Sequence, residues 1–308
     1  MLIQTNFLKM KIYLLALLLI AGCSIKQKVE TKESANTKEV EVQSDSTLVP
    51  ADTLDQEDDW MPERISADKL DYHGPVTWET VEEGIDFVEI DSAIWVFKID
   101  PKFYRFSIAK HDSLDSYYVP PTGHKQLPEW GRGTNLNMFT YSNIPNGYTK
   151  VDGAVLQPEF NKYNMFLVWN DDEFKMLDRR EEDISEIDNY PNVSQNERMI
   201  SAKGVDRNRW SVNERYWSVA TIGVTHDGKV LLIHSRQPYT MHNFIDIMLA
   251  HEDLLNIKQM AYLEGGPESS IYINEQYQRM GSFETSFNEF YDNDYFWELP
   301  FALVFEKK

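Results

Sequence analysis

The sequence predicts an α+β fold: mostly antiparallel or mixed β-sheet, few helices, and a single folded domain. Three observations lead there. Apolar residues alternate with polar ones over short runs, a glycine-bearing tight turn joins two such runs, and one stretch alone carries convincing helical periodicity. Alternation with period two puts one face of a strand on a core and the other in water, whereas a helix needs apolar residues three and four apart. Ile85 to Ile90 alternates apolar and acidic residues, Asp91-Ser92 follows, and Ile94 to Ile99 and Tyr104 to Ala109 continue the pattern. Short polar connections make these three an antiparallel meander. Val219 to Val224 and Val230 to His234 flank Thr225-His226-Asp227-Gly228-Lys229, where Asp-Gly supplies the left-handed backbone of a hairpin turn. Met241, Phe244, Ile245, Met248 and Leu249 share one helical face, with Thr240 as the N-cap. Met260 to Leu263 reads as a buried strand, Ile271 to Ile273 as the next, and Phe301 to Phe305 as the last.

Ahead of this domain the chain has a different character. Lys9 and Lys11 precede the apolar run Ile12 to Ala21, which ends Ile20-Ala21-Gly22-Cys23. A basic start, a short apolar stretch and small residues before a cut have the form of a secretory signal. Crossing a bilayer as a helix takes roughly 20 apolar residues, so a membrane span is the weaker reading. The last four residues resemble the lipobox of bacterial lipoproteins, in which the cysteine is acylated and becomes the new N-terminus; an ordinary signal peptide with a chance cysteine is the alternative. Cys23 is the single cysteine of the chain, which suits lipid attachment and leaves no second thiol for a disulfide. Ser24 to Asp59 is rich in Lys, Glu, Ser, Thr and Gln, has no aromatic residue, and buries too little apolar surface to offset the entropy of ordering. The expected organisation is a lipoprotein signal peptide at 1–22, a flexible tether at 23–59 and one domain at 60–308. This places the protein in the cell envelope, lipid-anchored and facing the periplasm or the surface.

A formal net charge of -20, more negative still once Lys9 and Lys11 are removed, argues against nucleic acid as a ligand, since that needs local positive charge. Metal sites find little support. The acidic stretch Asp171 to Asp188 lacks the regular spacing of a calcium loop and reads as solvated loop. His242 and His251 have no ligand partner at helical spacing, and His226 and His234, on facing strands, make a weak case for zinc. The sequence leaves the cofactor unknown.

The segment with the most chemical content is Leu263-Glu264-Gly265-Gly266-Pro267-Glu268-Ser269-Ser270. A buried strand delivers a carboxylate to its end, two glycines clear space for a ligand to approach the backbone, and a second carboxylate follows four residues later. Paired carboxylates are the usual apparatus of glycoside hydrolysis, one as acid and one as nucleophile or base. A turn with two solvated glutamates has the same composition.

The order of features along residues 78–275 resembles the phosphodiester glycosidase family. The matching stretches are Trp78 to Ile99, Asn135-Leu136-Asn137-Met138-Phe139, Gly147 to Gly153, Ile222 to Leu232, Thr240 to Leu249, and Tyr262 to Ser269. The resemblance implies an α+β fold and hydrolysis of a sugar-1-phosphodiester or related glycosidic bond, with a carbohydrate or sugar-phosphate substrate. It puts Glu264 at the family's catalytic aspartate and makes Glu268 its partner. Asn135, Gly265, Gly266 and Ser269 become the substrate-binding residues. Several positions depart from the family pattern. Asn137 stands where glycine is usual, Pro267-Glu268 replace Gly-Ser, and an arginine expected before the hairpin falls on Val219. Valine has none of the donors with which a guanidinium grips phosphate oxygens. Arg198, Arg215 or Arg236 would have to supply the charge; otherwise the chain is a non-catalytic glycan- or envelope-binding lipoprotein on the same fold.

Overall fold

The computed structural model describes residues 76–110, 131–139, 144–203, 215–284, 290–292, 296–297 and 299–308. The expected signal peptide, Cys23 and the tether lie outside the described residues. The chain opens with β1 (Glu79–Glu82), β2 (Ile85–Ile90), β3 (Ile94–Ile99) and β4 (Tyr104–Lys110). Next come β5 (Gly133–Asn135), β6 (Thr149–Val151), β7 (Ala154–Gln157), β8 (Met165–Trp169), β9 (Phe174–Asp178) and β10 (Asn192–Ile200). The long hairpin β11 (Trp217–Thr225) and β12 (Val230–Tyr239) leads into helix α1 (Met241–Ala250), the single turn α2 (Glu252–Leu255) and β13 (Ile257–Gly265). β14 (Ser270–Tyr272), β15 (Gln278–Met280), β16 (Ser282–Glu284), β17 (Phe290–Asp292) and β18 (Phe301–Lys307) complete it.

The larger sheet runs β1-β2-β3-β12-β11-β13-β10-β6-β7, with β8 also on β10 and β9 on β8. The second sheet runs β15-β14-β5-β18-β4. Residues of both sheets, among them Phe97, Ile222 and Leu263 from the first and Phe106, Ile271 and Leu303 from the second, bury one common core. The other face of the larger sheet, through Val96, Val219, Leu231 and Met260, packs on Phe244, Ile245 and Met248 of α1. Helix, sheet and sheet thus form successive layers, and the α+β reading stands.

The helix matches its sequence signature. Thr240 Oγ1 accepts from the Asn243 N–H at 3.1 Å, and Met241, Phe244, Ile245, Ile247 and Met248 are buried while Leu249 is half-buried. His242 sits beside Asp246 at 3.6 Å, and His251 Nδ1 lies 2.9 Å from the Ile247 carbonyl.

Three expectations are corrected. The meander breaks after β3: β4 pairs along its length with β18 in the second sheet. Alternation decides which side chains are buried, but two buried faces can be satisfied by more than one partner strand. The acidic stretch is not all loop. Phe174, Met176 and Leu177 bury themselves in β9, and Asp178, fully buried, pairs with Arg198 at 2.6 Å. The two histidines do not face each other either, since His226 falls in the turn and His234 lies opposite Ala220.

Candidate active site

β13 is an interior strand between β11 and β10, and it ends at Gly265. The chain then makes a 3-10 turn, Gly266–Glu268, and enters β14 of the other sheet. The predicted loop is therefore the crossover between sheets, which forces a carboxylate strand end and a sharp turn into one place. Both glycines are required by it. Gly266 takes a positive φ of 72°, and a Cβ on Gly265 would collide with the Tyr262 hydroxyl and the Trp217 indole.

Buried side chains clamp the turn. Asn135, at the end of β5, donates its amide N–H to the Glu268 carbonyl at 2.9 Å and accepts from the Ser270 N–H at 2.9 Å. Ser218 donates to the Gly266 carbonyl at 2.7 Å, and Ser269 donates to the same carbonyl at 2.9 Å. The Ser218 hydroxyl also accepts from the Ser282 N–H at 3.0 Å, tying β16 to the loop. Gly281 lies so close to the Gly266 carbonyl and both serine hydroxyls that any side chain there would strike them. Beneath, His234 Nε2 is 3.4 Å from Ser269 Oγ. Burial and the charge of Arg279 push His234 down to about 3, so it is neutral.

The two carboxylates are electrostatically coupled. Burial pushes Glu264 up to about 8, and the charge of Glu268 adds to the shift. Hydrogen bonds from the Gly265 N–H, at 3.0 Å, and from the Phe139 backbone work against it. Burial also raises Glu268. The Tyr262 hydroxyl is held well above its ordinary range by burial and then by Glu264, Glu268 and Tyr163, with the Trp217 indole N–H opposing. Near neutral pH Glu264 therefore holds its proton. Among the described residues no group of three or more His, Cys, Asp or Glu is arranged to hold a metal ion.

The sequence-predicted residues thus meet in one place, with different engagements. Glu264, Gly265, Gly266 and Glu268 form the turn itself, partly exposed. Asn135 and Ser269, expected to bond substrate, are 1% and 0% exposed and spend their polar atoms on the turn's own backbone. Asn137 is also buried, bonded to Thr149 Oγ1 at 3.2 Å. Val219 packs in the helix-side core opposite Gly265. Of the arginines expected to stand in for it, Arg198 is committed to Asp178 and Glu181, Arg215 is exposed, and Arg236 is half-buried with its carbonyl holding Ser282. Sequence reasoning missed Trp217, Tyr262 and Tyr163, whose aromatic spacing looks like ordinary core. It also missed Glu197, 4% exposed and paired opposite Tyr262, in a strand whose polar residues gave no sign of burial.

Comparison with known proteins bears on the whole region. The phosphodiester glycosidase family matches residues 132–306, more than half of the chain. Among solved structures, a hypothetical protein from Synechocystis is 11% identical, with a TM-score of 0.48, over 76% of this chain. The match spans 64% of that protein's length. The zebrafish N-acetylglucosamine-1-phosphodiester α-N-acetylglucosaminidase catalytic domain, auto-inhibited by its pro-peptide, is 12% identical with a TM-score of 0.46. That match covers 77% of this chain and 85% of the zebrafish one. No curated protein matches. On this match, which spans the Glu264 turn, the chain belongs to the phosphodiester glycosidase family.

Proposed function

We propose that this protein is an envelope hydrolase acting on the glycosidic bond of a sugar-1-phosphodiester or a related glycoside. The observation that carries the reading is the coupled pair at the sheet crossover, one carboxyl with its proton held to about pH 8 and a second four residues on. Glu264 delivers that proton to the leaving-group oxygen as the bond to the anomeric carbon breaks. Glu268 stabilises the positive charge developing on the sugar and takes the proton of the water whose hydroxyl ends on that carbon. Asn135, Ser218 and Ser269 position the pair by holding the carbonyls between them. Lipid on Cys23 tethers the domain to the membrane in this reading.

Val219 favours a second reading, a glycan-binding protein that has lost chemistry, because it leaves no guanidinium at the turn from that position. Screening the mature protein and Glu264→Gln against paired sugar-1-phosphodiesters and glycosides separates the two. Cleavage by wild type that falls at least a hundredfold in Glu264→Gln supports the hydrolase. Binding without cleavage, or equal cleavage by both proteins, overturns it.

A further inference from the structure

The hydrogen bonds that hold the turn between Glu264 and Glu268 end on a histidine that the proposed chemistry does not use. His234 is fully buried in β12, and His234 and Glu264 are cross-strand partners of the same residue, Ala220, on either side of β11. Neighbouring strands lie about 4.8 Å apart, which puts the two backbones about 10 Å from each other. Ser269 fills the path between them. His234 Nε2 is 3.4 Å from the Ser269 hydroxyl, and the Ser269 backbone carbonyl also acts on the ring. A carbonyl only accepts, so the nitrogen that faces it carries the proton. The 3.4 Å contact suits one N–H shared between two oxygens. Nδ1 is buried with no hydrogen-bond partner. With the ring neutral, Nδ1 is then the lone-pair nitrogen, and no buried N–H goes unmet.

This assignment directs the other hydrogens. An Nε2–H donated to Ser269 Oγ leaves the Ser269 hydrogen for the Gly266 carbonyl at 2.9 Å. The Ser218 hydrogen goes to the same carbonyl at 2.7 Å, while Ser218 Oγ accepts the Ser282 N–H. The peptide between Ser269 and Ser270 is held from both sides, its N–H by Asn135 at 2.9 Å and its carbonyl by His234. Burial and the neighbouring charges of Arg279 and Arg236 keep the ring from taking a second proton down to about pH 3. The donor is therefore fixed over the range in which Glu264 titrates.

Resting on the hydrolase reading of this turn, we propose that His234 is a positioning residue for the Glu264–Glu268 pair. It acts through Ser269: one Nε2–H holds the hydroxyl and carbonyl of that residue and so fixes the turn between the two acids.

The first test needs no variant beyond the one that assigns the signal. Nitrogen NMR of the histidine rings in the mature protein, with His234 identified by its loss in His234→Gln, should show a neutral ring protonated on Nε2. A proton on Nδ1, or a ring that takes up a second proton above pH 5, overturns the proposal. The second test reads the Glu264 carboxyl by carbon NMR, assigned with Glu264→Gln. His234→Leu, which has no donor, should loosen the turn, admit water to Glu264 and lower its midpoint from about 8 by about one unit or more. His234→Gln, which offers an amide N–H, should restore at least half of that shift. If His234→Leu does not fold, Ser269→Ala, which removes the relaying hydroxyl alone, must lower the midpoint in the same way. An unchanged midpoint, or equal shifts in the leucine and glutamine variants, shows that the ring only fills space and overturns the proposal. Neither readout uses a substrate, so a glycoside panel that goes uncleaved sinks the hydrolase reading and leaves the role of His234 in the turn to these spectra.

Discussion

Glu264→Gln makes the electrostatics of the turn measurable through stability alone, without knowledge of the substrate. The carboxyl keeps its proton to about pH 8 in the folded chain against an ordinary value of 4.5. Because the folded state binds the proton more tightly than the unfolded one, the stability it confers is whole below about pH 4.5 and is lost as pH rises through about 8. Each unit of separation is worth about 1.4 kcal/mol, which caps the loss near 5 kcal/mol. Water reaching the partly exposed side chain screens this, leaving about 2–4 kcal/mol. Glutamine resembles the protonated acid and does not titrate. It forfeits part of the hydrogen bonding to the Gly265 and Phe139 N–H groups, but that cost of about 1 kcal/mol is the same at every pH. Urea denaturation of both proteins between pH 5 and pH 9 isolates the titration as the change in their difference. The variant should gain about 2–4 kcal/mol on wild type across that range. Parallel curves would show that Glu264 ionises as an exposed glutamate does, and the assignment of a proton donor would fall with them.

Asn135→Ala removes both bonds that hold the Glu268 carbonyl and the Ser270 N–H, and should cost about 2–4 kcal/mol in denaturant midpoint analysis with activity falling further than stability explains. Phe244→Ala should cost about 3–5 kcal/mol, because the ring is fully buried between α1 and the sheet, whereas His242→Ala should cost less than about 1; equal effects would mean the helix is not docked on that face. Arg198→Met leaves Asp178 buried without its cation and should cost about 3–5 kcal/mol, while the double change with Asp178→Leu should recover much of that loss in the same measurement. Cys23→Ser should move the protein out of the membrane fraction or leave it unprocessed; wild type that fractionates as soluble, with no mass added at Cys23, would end the lipoprotein reading.

Local chemistry was legible wherever one residue type has one physical use. The Asp227-Gly228 turn, the Thr240 cap and the apolar stripe of α1 depend on neighbours a few positions away, so the sequence alone determined them. The turn after β13 was legible for the same reason, since two consecutive glycines at the end of an apolar strand mark a close backbone approach. Partner choice was not. Tyr104 to Ala109 looks the same whether it extends a meander or crosses to β18, and Phe174 to Asp178 looks like solvated loop until Arg198 arrives from a distant strand to neutralise Asp178. Residue roles at the site divide similarly. Sequence named Glu264 and Glu268 because paired carboxylates have a short list of uses, but only the tertiary structure set the proton on Glu264, since burial and the charge of Glu268 come from the packed surroundings. It likewise turned Asn135 and Ser269 inward onto the backbone, because a buried turn must satisfy its own carbonyls and N–H groups before any ligand does.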